Sequence, residues 1–256
     1  MSAHAPDLPL HVPLVENAAG RGAVVLVCEH ASNAIPAGLA DLGLALGDVA
    51  SHAAWDPGAL GVARAMGAAL DAPLVAATQS RLVHDCNRPE AAPDAMPART
   101  EEIAVPGNAG LSAAERAARG QRCYAPFHAA VSATLAGRDT PPVLVTVHSF
   151  TPRWHGVPRA VEIGILHDDD TRLADAMLAR AGAHTDHLVA RNEPYGPAHG
   201  VTHTLRLHGV ENGRANVMLE IRNDLIADQA AQTRMGVMLA GLVRAALEDL
   251  GQGGSA

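Results

Sequence analysis

The stretch AVVLVCEHASNAIP, residues 23–36, decides how this chain is read. Its first six residues form a short, continuous, valine-rich apolar run. That is the pattern of a strand buried on both faces, as in a sheet covered by helices. Glu29 and His30 follow at once, so the strand ends in side chains that can do chemistry.

The same pattern recurs along the chain. Residues 74–77, 143–147 (VLVTV), 161–166 (VEIGIL) and 216–221 (NVMLEI) read as further strands. Helices are predicted between them. One covers 57–70, with Asp56 as N-cap and Pro57 in the first turn. A second starts at Ser112, where Glu115 completes a capping box, and runs to about Ala136. Two more cover 171–182 and 228–250. Residues 87–110, rich in Pro, Ala, Asp and Gly, read as a surface excursion. Residues 191–212 read as a polar loop or hairpin and are the candidate lid. Strands alternating with helices predict an α/β domain with a largely parallel sheet. With no internal repeat and no linker, residues 1–256 are expected to form a single domain.

Composition narrows the function. The 256 residues carry a net charge of −8, and all 19 basic residues are arginine. Without lysine there is no Schiff-base or pyridoxal chemistry, no P-loop NTPase and no lysine-dependent kinase. The negative balance argues against nucleic-acid binding. Cys28, Cys86 and Cys123 form no CxxC pair, which argues against a cysteine zinc site or a disulfide framework and suits a reducing, cytoplasmic setting. The N-terminal stretch lacks the pattern of a secretory signal, and no apolar run approaches the ~20 residues of a membrane span. Membrane association is therefore not expected; a homo-oligomer is compatible with the composition.

Ligands of open α/β sheets bind outside the carboxyl ends of the strands. Here those ends carry His30, His148, the pair Glu220 and Arg222, and the segment SRLVHDCNR (80–88). Together they suggest a metal site beside an anion pocket. His30 and His148 are candidate ligands, because catalytic zinc commonly takes three protein ligands including imidazole. Asp56, Glu29 and Asn33 compete for the third position. Asp56 leads, although an aspartate before proline is also an ordinary N-cap, and Glu29 should point to the face opposite His30. Glu220 is either a general base or the partner of Arg222 or Arg206 in an ion pair. Arg81, Asn87 and Arg88 are candidates for holding a substrate carboxylate. Asp85 is read as orienting Arg88 or a ligand histidine. His203 and Arg206 could line the mouth of the site, and Arg222 or Arg206 could join Arg81 and Arg88 in binding the substrate carboxylates.

Set in order, VCEHASNAIP (27–36), WDPGALGVA (55–63), SRLVHDCNRP (80–89), VTVHSFTP (145–152), EIGIL (162–166), the 192–209 region and NVMLEIRNDLI (216–226) resemble the N-formylglutamate amidohydrolase family. The resemblance spans nearly the whole chain. It implies a phosphorylase/hydrolase-like α/β fold of three layers, a mostly parallel mixed sheet with helices on both faces. It also implies a zinc-dependent hydrolase related to zinc carboxypeptidases and the aspartoacylase group. Their motif order is HxxE, DLNR, DLH and E; His30, Asp85–Arg88, His148 and Glu220 correspond. Asn33 departs from this order, where the relatives place a glutamate. CEHASN likewise replaces the PHSG-like first motif of the histidine-degradation enzymes, so the chain resembles a divergent branch. The implied reaction is hydrolysis of an N-formyl or N-acyl amino acid, a small-molecule carboxylate, with zinc or another divalent transition metal. A peptidase or cell-wall amidase on the same fold, and a metal-free binding module, are the competing readings.

Overall fold

A seven-stranded sheet runs through the computed structural model, which describes residues 10–100, 103–138 and 140–251. Its strands are β1 (Leu14–Glu16), β2 (Val24–Cys28), β3 (Leu74–Ala76), β4 (Val143–Phe150), β5 (Ile163–Leu166), β6 (Val189–Arg191) and β7 (Asn216–Arg222). Their order is β1-β3-β2-β4-β7-β5-β6. The central four, β3, β2, β4 and β7, are mutually parallel. β1 is antiparallel to β3 and β5 to β7, while β6 runs parallel with β5. The fold is therefore α/β with a mixed, mostly parallel sheet. The two edge strands β1 and β6 were not expected. Each has only three residues, partly exposed, too short to give an apolar run.

The period-two alternation of strand side chains divides the core. Leu26, Val145 and Leu219 pack with Val62, Met66, Leu239 and Val243 on one face. That face is covered by α1 (Ala59–Leu70), α4 (Arg172–His184) and α5 (Gln229–Asp249). Val25, Val27, Leu144 and Met218 pack with Phe127 and Val131 on the other. Helices thus cover both faces, giving three layers. A Cβ at Gly236 of α5 would stand 2.5 Å from the Ala65 Cβ, so glycine is what lets α5 cross α1 so closely.

The helix predicted from Ser112 forms as α2 (Ala113–Arg119) and α3 (Ala125–Ala136), joined by a π-helical turn at Gly120–Tyr124. The capping box is present, with the Glu115 amide donating to Ser112 Oγ. Pro126 has no N–H to offer the preceding turn. The carbonyl of Arg122 instead accepts the amide of His11 at 2.8 Å, which fastens the amino-terminal segment to this layer. The first nine residues, part of the N-terminal stretch without a secretory pattern, lie outside the described residues. No helix among the described residues is long and apolar enough to cross a membrane.

One local expectation changes. The N-cap of α1 is Gly58, at φ +83°, where a Cβ would meet the Ile226 carbonyl at 2.6 Å. Asp56 does not cap the helix. Its carboxylate reaches across to the amide of Ser149, in the central strand β4, at 3.2 Å.

Candidate metal centre

Three strand ends converge at the carboxyl edge of the sheet. In the parallel register of β7 and β4, Glu220 sits directly beside His148. β2 lies on the other side of β4, and the chain leaves it through Glu29 and His30. The backbone amide of Asp56 donates to the His30 carbonyl at 2.9 Å, which brings the turn before α1 over the same edge.

His30, Asp56 and His148 are all buried and cluster there. His148 Nδ1 lies 3.0 Å from Asp56 Oδ2 and 3.2 Å from His30 Nδ1; His30 Nδ1 lies 3.3 Å from the same Asp56 oxygen. Donors each roughly 2.1 Å from one tetrahedral zinc would stand about 3.4 Å apart. The three atoms therefore have the spacing of ligands to one ion, and two imidazoles with a carboxylate suit zinc or a neighbouring transition metal.

Each histidine has a carboxylate behind it. His30 Nε2 lies 2.8 Å from Asp85 Oδ1, and His148 Nε2 lies 3.1 Å from Glu29 Oε2. Such carboxylates turn the Nδ1 lone pairs toward an ion and make them more basic. Burial alone would hold both imidazoliums down. For His30, Asp85 and Asp56 overcome that and raise its pKa; for His148, Glu29 and Asp56 raise it well above normal. Burial equally opposes charge on Asp56, but His30 and Arg81 hold its carboxyl well below the usual range. Arg81 Nη1 is 3.3 Å from Asp56 Oδ1.

Glu220 differs from the other carboxylates. It is buried, its Oε2 has no hydrogen-bond partner among the described residues, and burial raises its pKa to about 7. Neither Arg206 nor Arg222 pairs with it. A carboxyl poised near neutrality can both take and return a proton.

These groups open into a cavity of about 370 Å³, which Arg81, Asp85, Asn87 and Arg88 also line. That volume lies in the range for small ligands. Arg88 is tied to Asp94 at 2.8 Å, and the Asn87 amide is taken up by the Val201 carbonyl and the Thr204 amide. Asn87 therefore staples the 201–204 turn in place.

Three of the expected residues are not brought to the cavity lining. Arg206 pairs with Asp168 at 2.6 Å and Arg222 with Asp224 at 2.8 Å, and neither lines the cavity. His203 meets the Tyr124 hydroxyl at 2.8 Å and does not line the cavity. The π-helical turn Leu205–Gly209 packs on β4 and β7, and the exposed Arg206 pairs with the buried Asp168 and the exposed Asp169. Of the alternative ligands, Asn33 bonds the Val49 carbonyl and Glu29 faces the far nitrogen of His148. Glu29 does point away from His30. The strand carrying its partner is β4, and only strand pairing reveals that.

Sequence reading also missed His52, Arg99, Trp154 and Tyr195, which line the cavity. Burial and the nearby Arg81 lower the His52 pKa to about 3. The aromatic pair carried a weak signal, since the chain has only two Trp, two Tyr and two Phe.

Comparison with known proteins identifies the family. A crystal structure of a gene product from Agrobacterium tumefaciens is 53% identical, with TM-score 0.90, covering 94% of this chain and 96% of that one. The crystal structure of an N-formylglutamate amidohydrolase from Ralstonia eutropha JMP134 is 21% identical, with TM-score 0.56, covering 88% of this chain and 94% of that one, a likeness of fold. Among curated proteins none matches. The family model for N-formylglutamate amidohydrolase matches residues 22–227, which include every residue of the cluster. The chain belongs to the N-formylglutamate amidohydrolase family, a family of amidohydrolases.

Proposed function

We propose that this protein hydrolyses the amide bond of an N-formyl or N-acyl amino acid, with N-formylglutamate as the leading substrate. Zinc, or another divalent transition metal, would be held by His30, Asp56 and His148. The observation that carries this reading is the common 3.0–3.3 Å spacing of the three buried donor atoms, set beside a buried carboxyl with no partner at Oε2.

When bound, such a metal polarises the amide carbonyl and lowers the pKa of water to roughly 7. Asp85 and Glu29 keep the ligand nitrogens turned inward. Glu220 accepts the proton of the attacking water on its free oxygen and delivers it to the departing amine nitrogen. Arg81 and Arg88, on the cavity wall, orient the substrate carboxylates, and Asn87 holds the turn that closes the cavity beside them.

A peptidase or cell-wall amidase needs an open groove, and a cavity of about 370 Å³ favours a small molecule. A module that had lost its metal would have no reason to keep Glu220 Oε2 buried without a hydrogen-bond partner. The test is metal content per chain together with release of formate and glutamate from N-formylglutamate, run beside a dipeptide panel. About one metal per chain with formate release is expected. Absence of bound metal after incubation with zinc, or cleavage of dipeptides alone, overturns the reading.

A further inference from the structure

A second cavity, of about 440 Å³, lies between α3 and the segment 207–214. It shares no lining residue with the cavity at the candidate metal centre. His128, Ser132 and Leu135 line it from α3, and Leu207, His208 and Arg214 from the facing segment. His128, Leu135 and His208 are buried, while Ser132 is exposed. No carboxylate among the described residues lines it.

Arg214 is held here by carbonyls alone. Its Nε donates to the His208 carbonyl at 3.3 Å and its Nη1 to the Pro142 carbonyl at 3.1 Å. Among the described residues Nη2 has no hydrogen-bond partner and the guanidinium no ion pair. A guanidinium keeps its charge in a protein, so an unbalanced cation stands in this wall. Fixed through two of its nitrogens, the planar group presents the third in a set direction.

His208 makes the opposite demand. His128 Nε2 lies 2.8 Å from the Cys86 carbonyl and so carries the proton of that ring. His128 Nδ1, 2.8 Å from His208 Nε2, must then accept. The proton of His208 is thereby placed on Nε2, and burial keeps the ring neutral, with its pKa lowered to about 4. Its Nδ1 is left as a lone pair with no partner among the described residues, on a side chain that is 6% exposed. Such a lone pair needs a donor, as Arg214 needs an acceptor. An anion without a proton satisfies Arg214 and repels Nδ1. A phosphate group with one P–O–H satisfies both.

We propose that this cavity is a phosphate site, selective for a phosphate group that keeps one proton, with Arg214 Nη2 donating to a negative oxygen and His208 Nδ1 accepting the P–O–H. The group is inorganic phosphate or the head of a small phosphate monoester, for whose carbon chain Leu135 and Leu207 offer an apolar surface.

The test is calorimetric titration of the metal-loaded protein, freed of unbound metal, at pH 6.5 with inorganic phosphate, sulfate and glycerol phosphate. Sulfate matches phosphate in shape and carries no proton at that pH. Wild type should bind phosphate at least about tenfold more tightly than sulfate, the effect of one lone pair left without a donor. Arg214→Gln should weaken phosphate binding by about tenfold or more. Ser132→Glu, a change at an exposed helix position, should do the same by setting a carboxylate beside Arg214, and it keeps the test open if Arg214→Gln fails to fold. Glycerol phosphate tells the two sources apart. Binding tighter than that of inorganic phosphate identifies a monoester, weaker binding identifies the free ion, and either supports the site. Equal affinities for phosphate and sulfate, or no binding of phosphate, would overturn the assignment. Phosphate binding that Ser132→Glu leaves intact would overturn it too, since it would belong to the candidate metal centre.

Discussion

Two groups of buried histidines lie on this molecule, and they differ in what stands behind the rings. At the sheet edge, His30 and His148 are backed by Asp85 and Glu29. On the α3 side, His128 and His208 bond each other at 2.8 Å, and His128 Nε2 meets the Cys86 carbonyl at 2.8 Å. A carbonyl only accepts, so His128 carries its proton on Nε2 and accepts from His208 through Nδ1. Burial, aided by their neighbouring imidazoles, lowers these pKa values to about 3 and about 4. The carboxylate-backed pair is shifted upward instead. Burial is similar in the two places. The partner on the far nitrogen decides whether a histidine is a basic metal ligand or a neutral ring.

The largest expected effect breaks the first group outright. His148→Ala should lose the bound metal and cut turnover by at least about 10³-fold, whereas His128→Gln should retain the metal. Elemental analysis of the untagged proteins decides it; metal held equally by both would erase the contrast. Next comes Glu220→Gln, which should keep the metal while turnover falls by about 10²–10⁴-fold. A rate close to wild type in that variant removes Glu220 as the base. A smaller effect sharpens the role of the backing carboxylates. Glu29→Gln and Asp85→Asn should each weaken metal affinity by about 10–100-fold in chelator competition. If affinity is unchanged, those carboxylates do not tune the ligands.

The smallest effect belongs to the second group. Burial lowers the folded pKa values of His128 and His208 to about 3 and about 4, against about 6.5 for a free histidine. Their neutral burial therefore contributes stability above pH 6.5. That contribution is lost as pH falls toward the folded values, because the unfolded chain takes up protons first. By pH 5 the loss should be about 2 kcal/mol per group. Urea midpoints of metal-loaded wild type and His208→Gln between pH 7 and pH 5 should show a shallower decline for the variant. Identical slopes would show that these histidines do not titrate as buried neutral groups.

How far the sequence could be read depended on length and on reach. The long apolar runs that became β2, β4 and β7 were legible, because burial on both faces leaves a continuous signature. The three-residue edges β1 and β6 were not, because hydrogen bonding to a neighbour rather than apolar content makes them strands. His30, His148 and Glu220 were legible as chemistry at strand ends. Asp56 was ambiguous, since its carboxylate could cap a helix or cross the sheet. Gly58 taking the cap position leaves it to cross. Arg206 and Arg222 were misplaced because a long flexible side chain goes to the nearest acid, and position along the chain does not identify that acid.

The amino-acid sequence by itself determined the α/β alternation, the absence of lysine chemistry and the histidines and carboxylates available at the strand ends, because those follow from local pattern and composition. The tertiary structure alone decided that Glu29 stands behind His148, that Asp56 joins the two histidines and that His128 meets His208. Each of those contacts joins segments far apart in the chain, and only strand pairing and packing bring them within a few ångströms.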